Sequence, residues 1–179
     1  MARSDYVDDN FFMTVLGALT RENRLAVLVS LYTGLRISDV LSLKTEQIQK
    51  QRFTVTEAKT GKRRKIRLSD ALVADLLRIS GSIYVFENRL DFKRHRTRQA
   101  VYKDLRRACK LLRVSDTLTV SPHSARKIYA VKAYKDKADI KRVQELLQHD
   151  KEVVTLVYAM ADELTRRSHT PRQLESAKL

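Results

Sequence analysis

A chain of 179 residues with 43% apolar side chains can fold as one ordinary domain around a real core, which excludes a disordered polyelectrolyte and a multidomain array. Its 36 Lys and Arg against 21 Asp and Glu leave a formal charge of +15, more than solubility requires, so the expected partner is a polyanion, nucleic acid first, with a merely solvated basic surface as the alternative. Cys109 has no second cysteine for an internal disulfide, no cationic-then-apolar leader opens the chain, and the apolar run Leu25 to Leu35 is too short for a bilayer; together these point to a reducing, cytoplasmic setting and no membrane partner.

In chain order, Phe11 to Leu19 has helical apolar spacing behind the capping candidates Asp8, Asp9 and Asn10. Glu22 to Thr33 reads as a helix that is apolar nearly all round. That makes it the central core helix, with Tyr32 buried in it and Gly34 as its C-terminal stop. Ile37, Val40, Leu41 and Leu43 then repeat at three and four residues, which sets Arg36 at the start of a short third helix. Phe53 to Glu57 and Lys65 to Leu68 alternate around a glycine-bearing basic stretch and predict a β-hairpin. A helix capped by Ser69 or Asp70 should run to about Ile79, with a short strand over Ile83 to Phe86. A basic amphipathic helix is expected over Thr97 to Leu112, and further helices over His123 to Lys135, Ile140 to Gln148 and Glu152 to Ala161. The predicted fold is mainly α with a small antiparallel β-hairpin or sheet. Residues 1–161 are expected to form one domain and residues 162–179 a polar tail, mobile or docked on a neighbouring protomer.

The chemistry lies in side chains spread along this scaffold. Arginine matches phosphate oxygens with a planar fork and keeps its charge at any physiological pH. Arg36 is held between apolar segments rather than on a charged face. Arg126 follows His123 by three residues, so the two share a helix face, and Pro122 favours a helix start just before His123. His149 precedes Tyr158 by nine residues. Each residue alone has an ordinary reading: a solvated arginine, a structural histidine, a tyrosine packed in the apolar stretch VVTLVYAM. Together they supply what metal-independent phosphodiester cleavage by a protein nucleophile needs: fixed positive charge, proton-transfer groups and a phenol. No glycine-rich phosphate loop or metal-ligand spacing is present in the sequence, so no cofactor is expected.

TGLRISDVLSL, the hairpin lysine in EAKTGK, the HSAR of SPHSAR, and LLQHDKEVVTLVY resemble the catalytic domain of the tyrosine recombinases, the phage integrase family, over about Thr20 to Ala161. The resemblance carries over to Arg36, Lys59, His123, Arg126, His149 and Tyr158. It implies that Tyr158 attacks the scissile phosphate and forms a 3′-phosphotyrosine with release of a 5′-hydroxyl, while Arg36 and Arg126 clamp the non-bridging oxygens. Lys59 would be the general acid, with Lys62 and Lys65 close by on the same element as the alternatives, His123 would assist proton transfer, and His149 would bond a phosphate oxygen. Asp39 stands where the family often has glutamate, and Gln148 where it usually has glycine; neither change removes a catalytic group.

If residues 149 to 158 were one straight helix, His149 and Tyr158 would lie roughly 13 Å apart along its axis, too far to serve one phosphate. The chain must fold back there, and Tyr158 is expected to be mobile or misplaced without DNA. Contacts to double-stranded DNA are expected from two segments. Residues 52–67 hold seven Lys or Arg against one acid, and residues 89–113 hold ten against two. The candidates are Lys62, Arg63 and Arg64 on the hairpin, and Lys93, Arg94, Arg96, Arg98 and Arg106 on and before the basic helix.

About twenty residues precede the matched region, so the chain reads as an excised catalytic domain or as a short recombinase without a separate N-terminal DNA-binding domain. The expected assembly is a monomer in solution and a tetramer on paired DNA sites. The expected function is site-specific recombination of the integrase or excisionase type. The alternatives are DNA relaxation of the type IB topoisomerase kind and a non-catalytic DNA-binding protein of the same fold.

Overall fold

The computed structural model of the chain describes residues 7, 9–114, 119–137, 143 and 145. The chain divides into two units, Met1–Tyr129 and Ala130–Leu179. In chain order it forms α1 (Asp9–Gly17), α2 (Arg21–Thr33), α3 (Ile37–Leu41), α4 (Thr45–Ile48), β1 (Arg52–Thr56), β2 (Arg63–Arg67), α5 (Asp70–Leu77), α6 (Arg98–Leu111) and α7 (Pro122–Lys137). Among the described residues the only sheet is the antiparallel pair β1–β2, so the fold is mainly helical with a small hairpin, as the sequence implies. In the second unit, Ala130, Val131 and Val143 are buried. No helix among the described residues is long and apolar enough to cross a membrane.

The core of the first unit is built on α2, which packs against α1, α3 and α6. Leu25, Ala26, Val27, Val29 and Leu31 are buried along it, and Phe12, Val15 and Leu16 of α1 join the same cluster. Helix α6 turns Val101, Leu105, Ala108 and Cys109 inward at three- and four-residue spacing, and leaves Arg98, Arg106 and Lys110 in solvent. Tyr32 departs from expectation. It is 58% exposed, because it continues the row of Arg24 and partly buried Leu28 at four-residue intervals, on the least buried side of α2 among the described residues.

Several boundaries also differ from the sequence reading. Asp9 and Asn10 lie inside α1 rather than ahead of it, and α4 has no counterpart in the apolar pattern. Residues 83–86 form no strand; an isolated bridge between Lys44 and Tyr84 and single backbone bonds, from the Gly81 amide to the Tyr84 carbonyl and from the Arg96 amide to the Phe86 carbonyl, tie the segment in place. Ser69 and Thr97 cap α5 and α6, their side chains accepting from the amides of Leu72 at 3.4 Å and Ala100 at 3.2 Å.

The start of α2 is capped from a distance. Thr20, its N-cap residue, makes no capping bond with its own side chain. Instead Asp104 on α6 accepts through one carboxylate oxygen from the Thr20 amide at 2.9 Å, the Thr20 hydroxyl at 2.9 Å and the Asn23 amide group at 2.8 Å. Its other oxygen accepts from Arg107 Nε at 2.9 Å. Burial works to raise the Asp104 pKa, but the bonds from Asn23, the Thr20 amide, Arg107 and the Thr20 hydroxyl together outweigh it and hold the carboxyl below its ordinary value of 3.8. A carboxyl with a lowered folded-state pKa contributes stability above 3.8 that is lost as pH falls through the lowered value. Asp104→Ala is therefore expected to lower stability at pH 7 by on the order of 2–3 kcal/mol. In thermal melts, the gap between variant and parent should narrow as the pH is taken below that range.

Candidate active site

The site is organised by the end of α2. Gly34 sits there at φ 67, and its amide reaches the Ser30 carbonyl at 2.8 Å. The last carbonyls of a helix have no partner inside it and form the negative end of its dipole, so cations collect there. In this chain each of the three carbonyls from residue 33 to 35 has a side-chain donor. Arg64 Nη2 donates to the Thr33 carbonyl at 2.8 Å, Arg126 Nη1 donates to the Gly34 carbonyl, and the Ser30 hydroxyl donates to the Leu35 carbonyl at 2.7 Å. One turn of chain thus holds two guanidinium groups and leads directly into Arg36.

Arg36 is the extended residue before α3, at φ −66 and ψ 145. Its side chain is 15% exposed and its Nη1 pairs with one oxygen of Glu57, whose side chain is fully buried. The other oxygen of Glu57 pairs with Arg64 Nη1 at 3.1 Å. Asp39, three residues into α3, accepts the Ala58 amide at 3.0 Å through Oδ1. Its Oδ2 has no hydrogen-bond partner among the described residues. Burial raises the Asp39 pKa above 3.8; the Ala58 amide opposes that, Glu57 adds to it, and the charges of Arg36 and Arg126 pull it back down. Arg36 and Arg126 therefore act on one buried carboxyl group, although 90 residues of sequence separate them.

The start of α7 supplies the other described groups. Ser121 precedes the helix and its hydroxyl accepts the His123 amide at 3.1 Å, while the Ser124 hydroxyl accepts the Ser121 amide at 3.2 Å. This reciprocal pair fixes the helix start with Pro122 in its first position. It leaves His123 partly exposed and carries Arg126 to 1% exposure. Lys59 lies in solvent on the turn between β1 and β2, which Gly61 closes at φ 66 with its amide on the Glu57 carbonyl at 2.8 Å. His149 and Tyr158 lie outside the described residues, as do the expected fold-back between them and the helices expected over Ile140–Gln148 and Glu152–Ala161, apart from Val143 and Glu145.

The basic candidates separate into outward and inward groups. Val55 pairs with Arg64 and Phe53 with Ile66, so the face that carries Val55 and Ile66 into the core carries Arg64 with them. That two-residue period, readable in RRKIR, is why Arg64 reaches Glu57 instead of solvent. Arg63, Lys65 and Arg67 point the other way, with Arg52 directly opposite Arg67. Arg52, Lys65 and Arg67, which belong to the expected basic segment without being singled out in it, complete a basic outer face with Lys62 and Arg63. Arg96 is also turned inward: its side chain is 16% exposed, with Nη1 donating to the Asn23 side-chain oxygen at 3.3 Å. Lys93, Arg94, Arg98 and Arg106 are exposed, Arg94 pairing with Asp91 at 3.3 Å.

This arrangement of helices and hairpin is that of the tyrosine recombinase catalytic domain. The solved structure of XerA recombinase superposes with a TM-score of 0.68 at 22% identity, covering 94% of this chain and 64% of that one. The catalytic domain of bacteriophage HP1 integrase gives 0.60 at 19% identity, over 98% of this chain and all of that one, at 100%. Lambda integrase bound to a COC′ core site gives 0.64 at 19% identity, over 100% of this chain and 64% of that one.

In sequence, residues 10–164 match the phage integrase family, and the chain belongs to it. The Bacillus subtilis (strain 168) protein named "Probable integrase/recombinase YoeC" is 31% identical over 142 residues, 76% of each chain. A tyrosine recombinase of Thermosipho africanus is 30% identical over 164 residues, 86% of this chain and 56% of the relative. Tyrosine recombinase XerA of Pyrococcus furiosus is 31% identical over 144 residues, 76% of this chain and 49% of the relative. The chain thus spans about half the length of these two recombinases.

Proposed function

We propose that this chain is the catalytic part of a site-specific DNA recombinase that cuts and rejoins double-stranded DNA through Tyr158. The observation that carries this reading is the placement of Arg36 and Arg126 around the end of α2 and the Asp39 carboxyl, in a chain that belongs to the phage integrase family. Two fixed guanidinium groups beside a strongly basic hairpin form a site for one phosphate of a longer polyanion. In the reaction, the Tyr158 oxygen bonds to phosphorus as the P–O5′ bond breaks. Lys59 delivers a proton to the departing 5′-oxygen, and His123 assists removal of the tyrosine proton. Arg36, Arg126 and His149 hold the non-bridging oxygens while charge builds on them. Attack of a 5′-hydroxyl from a partner strand reverses the sequence and completes exchange without an outside energy source. No cofactor enters these steps, because the ester to the enzyme retains the energy of the broken bond.

Residues 1–161 act as the catalytic domain in this reading, and the 162–179 segment docks on a neighbouring protomer when four copies assemble on paired sites; the free protein is monomeric and cytoplasmic. A nicked suicide duplex that traps the covalent intermediate tests the chemistry, and strand transfer between two separate duplexes tests the class. Adduct with exchange is the expected result. Adduct with relaxation alone would point to topoisomerase-like chemistry, and no adduct on any DNA would leave a binding protein.

Duplex binding should weaken steeply with salt, since each neutralised phosphate releases condensed counterions. Arg63→Ala on the outer hairpin face is expected to make the slope of log affinity against log salt shallower by about 0.9 if it removes one phosphate contact. Arg64→Ala is expected to leave that slope unchanged and to lower the melting temperature instead, because its guanidinium is committed to Glu57 and the Thr33 carbonyl. Titrations at several salt concentrations, paired with thermal melts, separate the two.

A further inference from the structure

Glu57 is the one acidic residue between positions 52 and 67, and it is wholly buried in the most basic stretch of the chain. A buried carboxylate needs partners, and here both oxygens have one: Arg36 on one side and Arg64 on the other. Arg64 is anchored in turn on the Thr33 carbonyl, so the end of α2, β2, Glu57 and Arg36 form a continuous chain of charge-assisted bonds. The next residue, Ala58, gives its amide to Asp39 on α3. Two successive residues at the base of the hairpin turn are therefore tied, one to Arg36 and the other to the helix that follows it. The residue after them is Lys59.

We propose that Glu57 is a positioning residue: it sets the Arg36 guanidinium and, with the Ala58–Asp39 bond, fixes the base of the turn that presents Lys59. This rests on the recombinase reading for what Arg36 and Lys59 do, but the clasp itself is a property of the folded protein without DNA. A guanidinium is planar with five donors in a fixed fork, so a carboxylate that takes one of them sets the direction of the whole group. The two ends of the clasp belong to groups with different tasks. Arg36 acts on the non-bridging oxygens and Lys59 on the leaving oxygen, and a fixed distance between them is what in-line displacement requires.

The test uses the whole chain. Glu57→Gln keeps the shape and removes the charge, while Glu57→Asp keeps the charge and withdraws the carboxylate by one methylene, which guards against simple loss of the fold. The first readout is the 15N Nε–Hε signal of Arg36 without DNA, assigned through Arg36→Lys. In the parent it should be resolved and slow to exchange with water. In both variants it should move into the envelope of exposed arginines, with the backbone amide spectrum preserved away from residues 33–39 and 57–64. The second readout is the rate of covalent adduct formation on a pool of nicked duplexes of randomised sequence, where Glu57→Gln should be about 100-fold slower, the scale of a catalytic group misplaced by an ångström.

An unmoved Arg36 signal overturns the proposal. So does an adduct rate at or above the parental one, which would make Glu57 a competitor of the phosphate. If the parent forms no adduct while the Arg36 signal still depends on Glu57, the recombinase reading fails and the clasp stands.

Discussion

Arg126→Lys is expected to abolish measurable adduct formation while the protein still binds duplex DNA. Arg126 is 1% exposed and donates to the Gly34 carbonyl from α7, so its fork is already oriented before any phosphate arrives. Lysine keeps the charge but has a single ammonium group, which cannot hold the carbonyl and present a second flat edge to an oxyanion. Loss of one preorganised donor to a developing oxyanion costs about 10²–10³ in rate. Displacement of a buried charge from its partners adds a stability loss of about 3–5 kcal/mol at most. Both effects come from one side chain, so melts and adduct rates must be measured together. Retention of a near-parental rate would show that Arg126 serves the fold alone.

The second large effect is expected from Gly34→Ala. At φ 67 an alanine carries a backbone penalty of about 1–3 kcal/mol. Its methyl would also overlap the ring of Tyr129, and overpacking of this kind costs a further 1–3 kcal/mol or about that. Tyr129 lies three residues after Arg126 on α7 and the Gly34 carbonyl is the acceptor for Arg126, so relief of the clash moves the acceptor and the donor apart. A fall in melting temperature with a larger fall in adduct rate is the predicted outcome. Tyr129→Ala in the same chain should recover part of the stability, because it removes the ring but leaves the strained backbone. A Gly34→Ala protein with parental stability and rate would contradict this account of the turn.

The residues that the sequence identifies most readily are those whose role is set by near neighbours. Gly34 reads as a helix stop because only glycine is at ease in that conformation, and Arg36 stands out because apolar residues surround it. The period of α6 is plain from Val101, Leu105 and Ala108. What escapes a linear reading is fixed by contacts across the fold. The cap of α2 comes from Asp104, 84 residues beyond Thr20, and no local pattern announces it. Arg64 looks like one more cation in a basic run until strand alternation turns it toward the core with Ile66. Tyr32 lies in an apolar helix, yet it is 58% exposed among the described residues. Glu57 gave a compositional signal, a lone acid among arginines and lysines, whose meaning required the partners on both of its oxygens.

Raised Asp39 belongs to the same class of hidden features. Its upward shift comes first from burial, so its ionised form is disfavoured in the folded state even with Arg36 and Arg126 nearby. Stability linked to this group is present below 3.8 and lost as the pH rises through the raised value, opposite in sense to Asp104. The Ala58 amide of the hairpin turn donates to the Asp39 carboxyl at 3.0 Å.

In the proposed reaction the phenol of Tyr158 becomes esterified to DNA whose phosphate is held by Arg36 and Arg126. The direct measurement is mass spectrometry of the trapped adduct after nuclease and protease digestion, with the DNA ends analysed alongside. The expected result is a single modified peptide carrying a 3′-linked nucleotide on Tyr158 and a free 5′-hydroxyl on the released strand. A linkage at any other residue, or a 5′-phosphate ester to the protein, would contradict it.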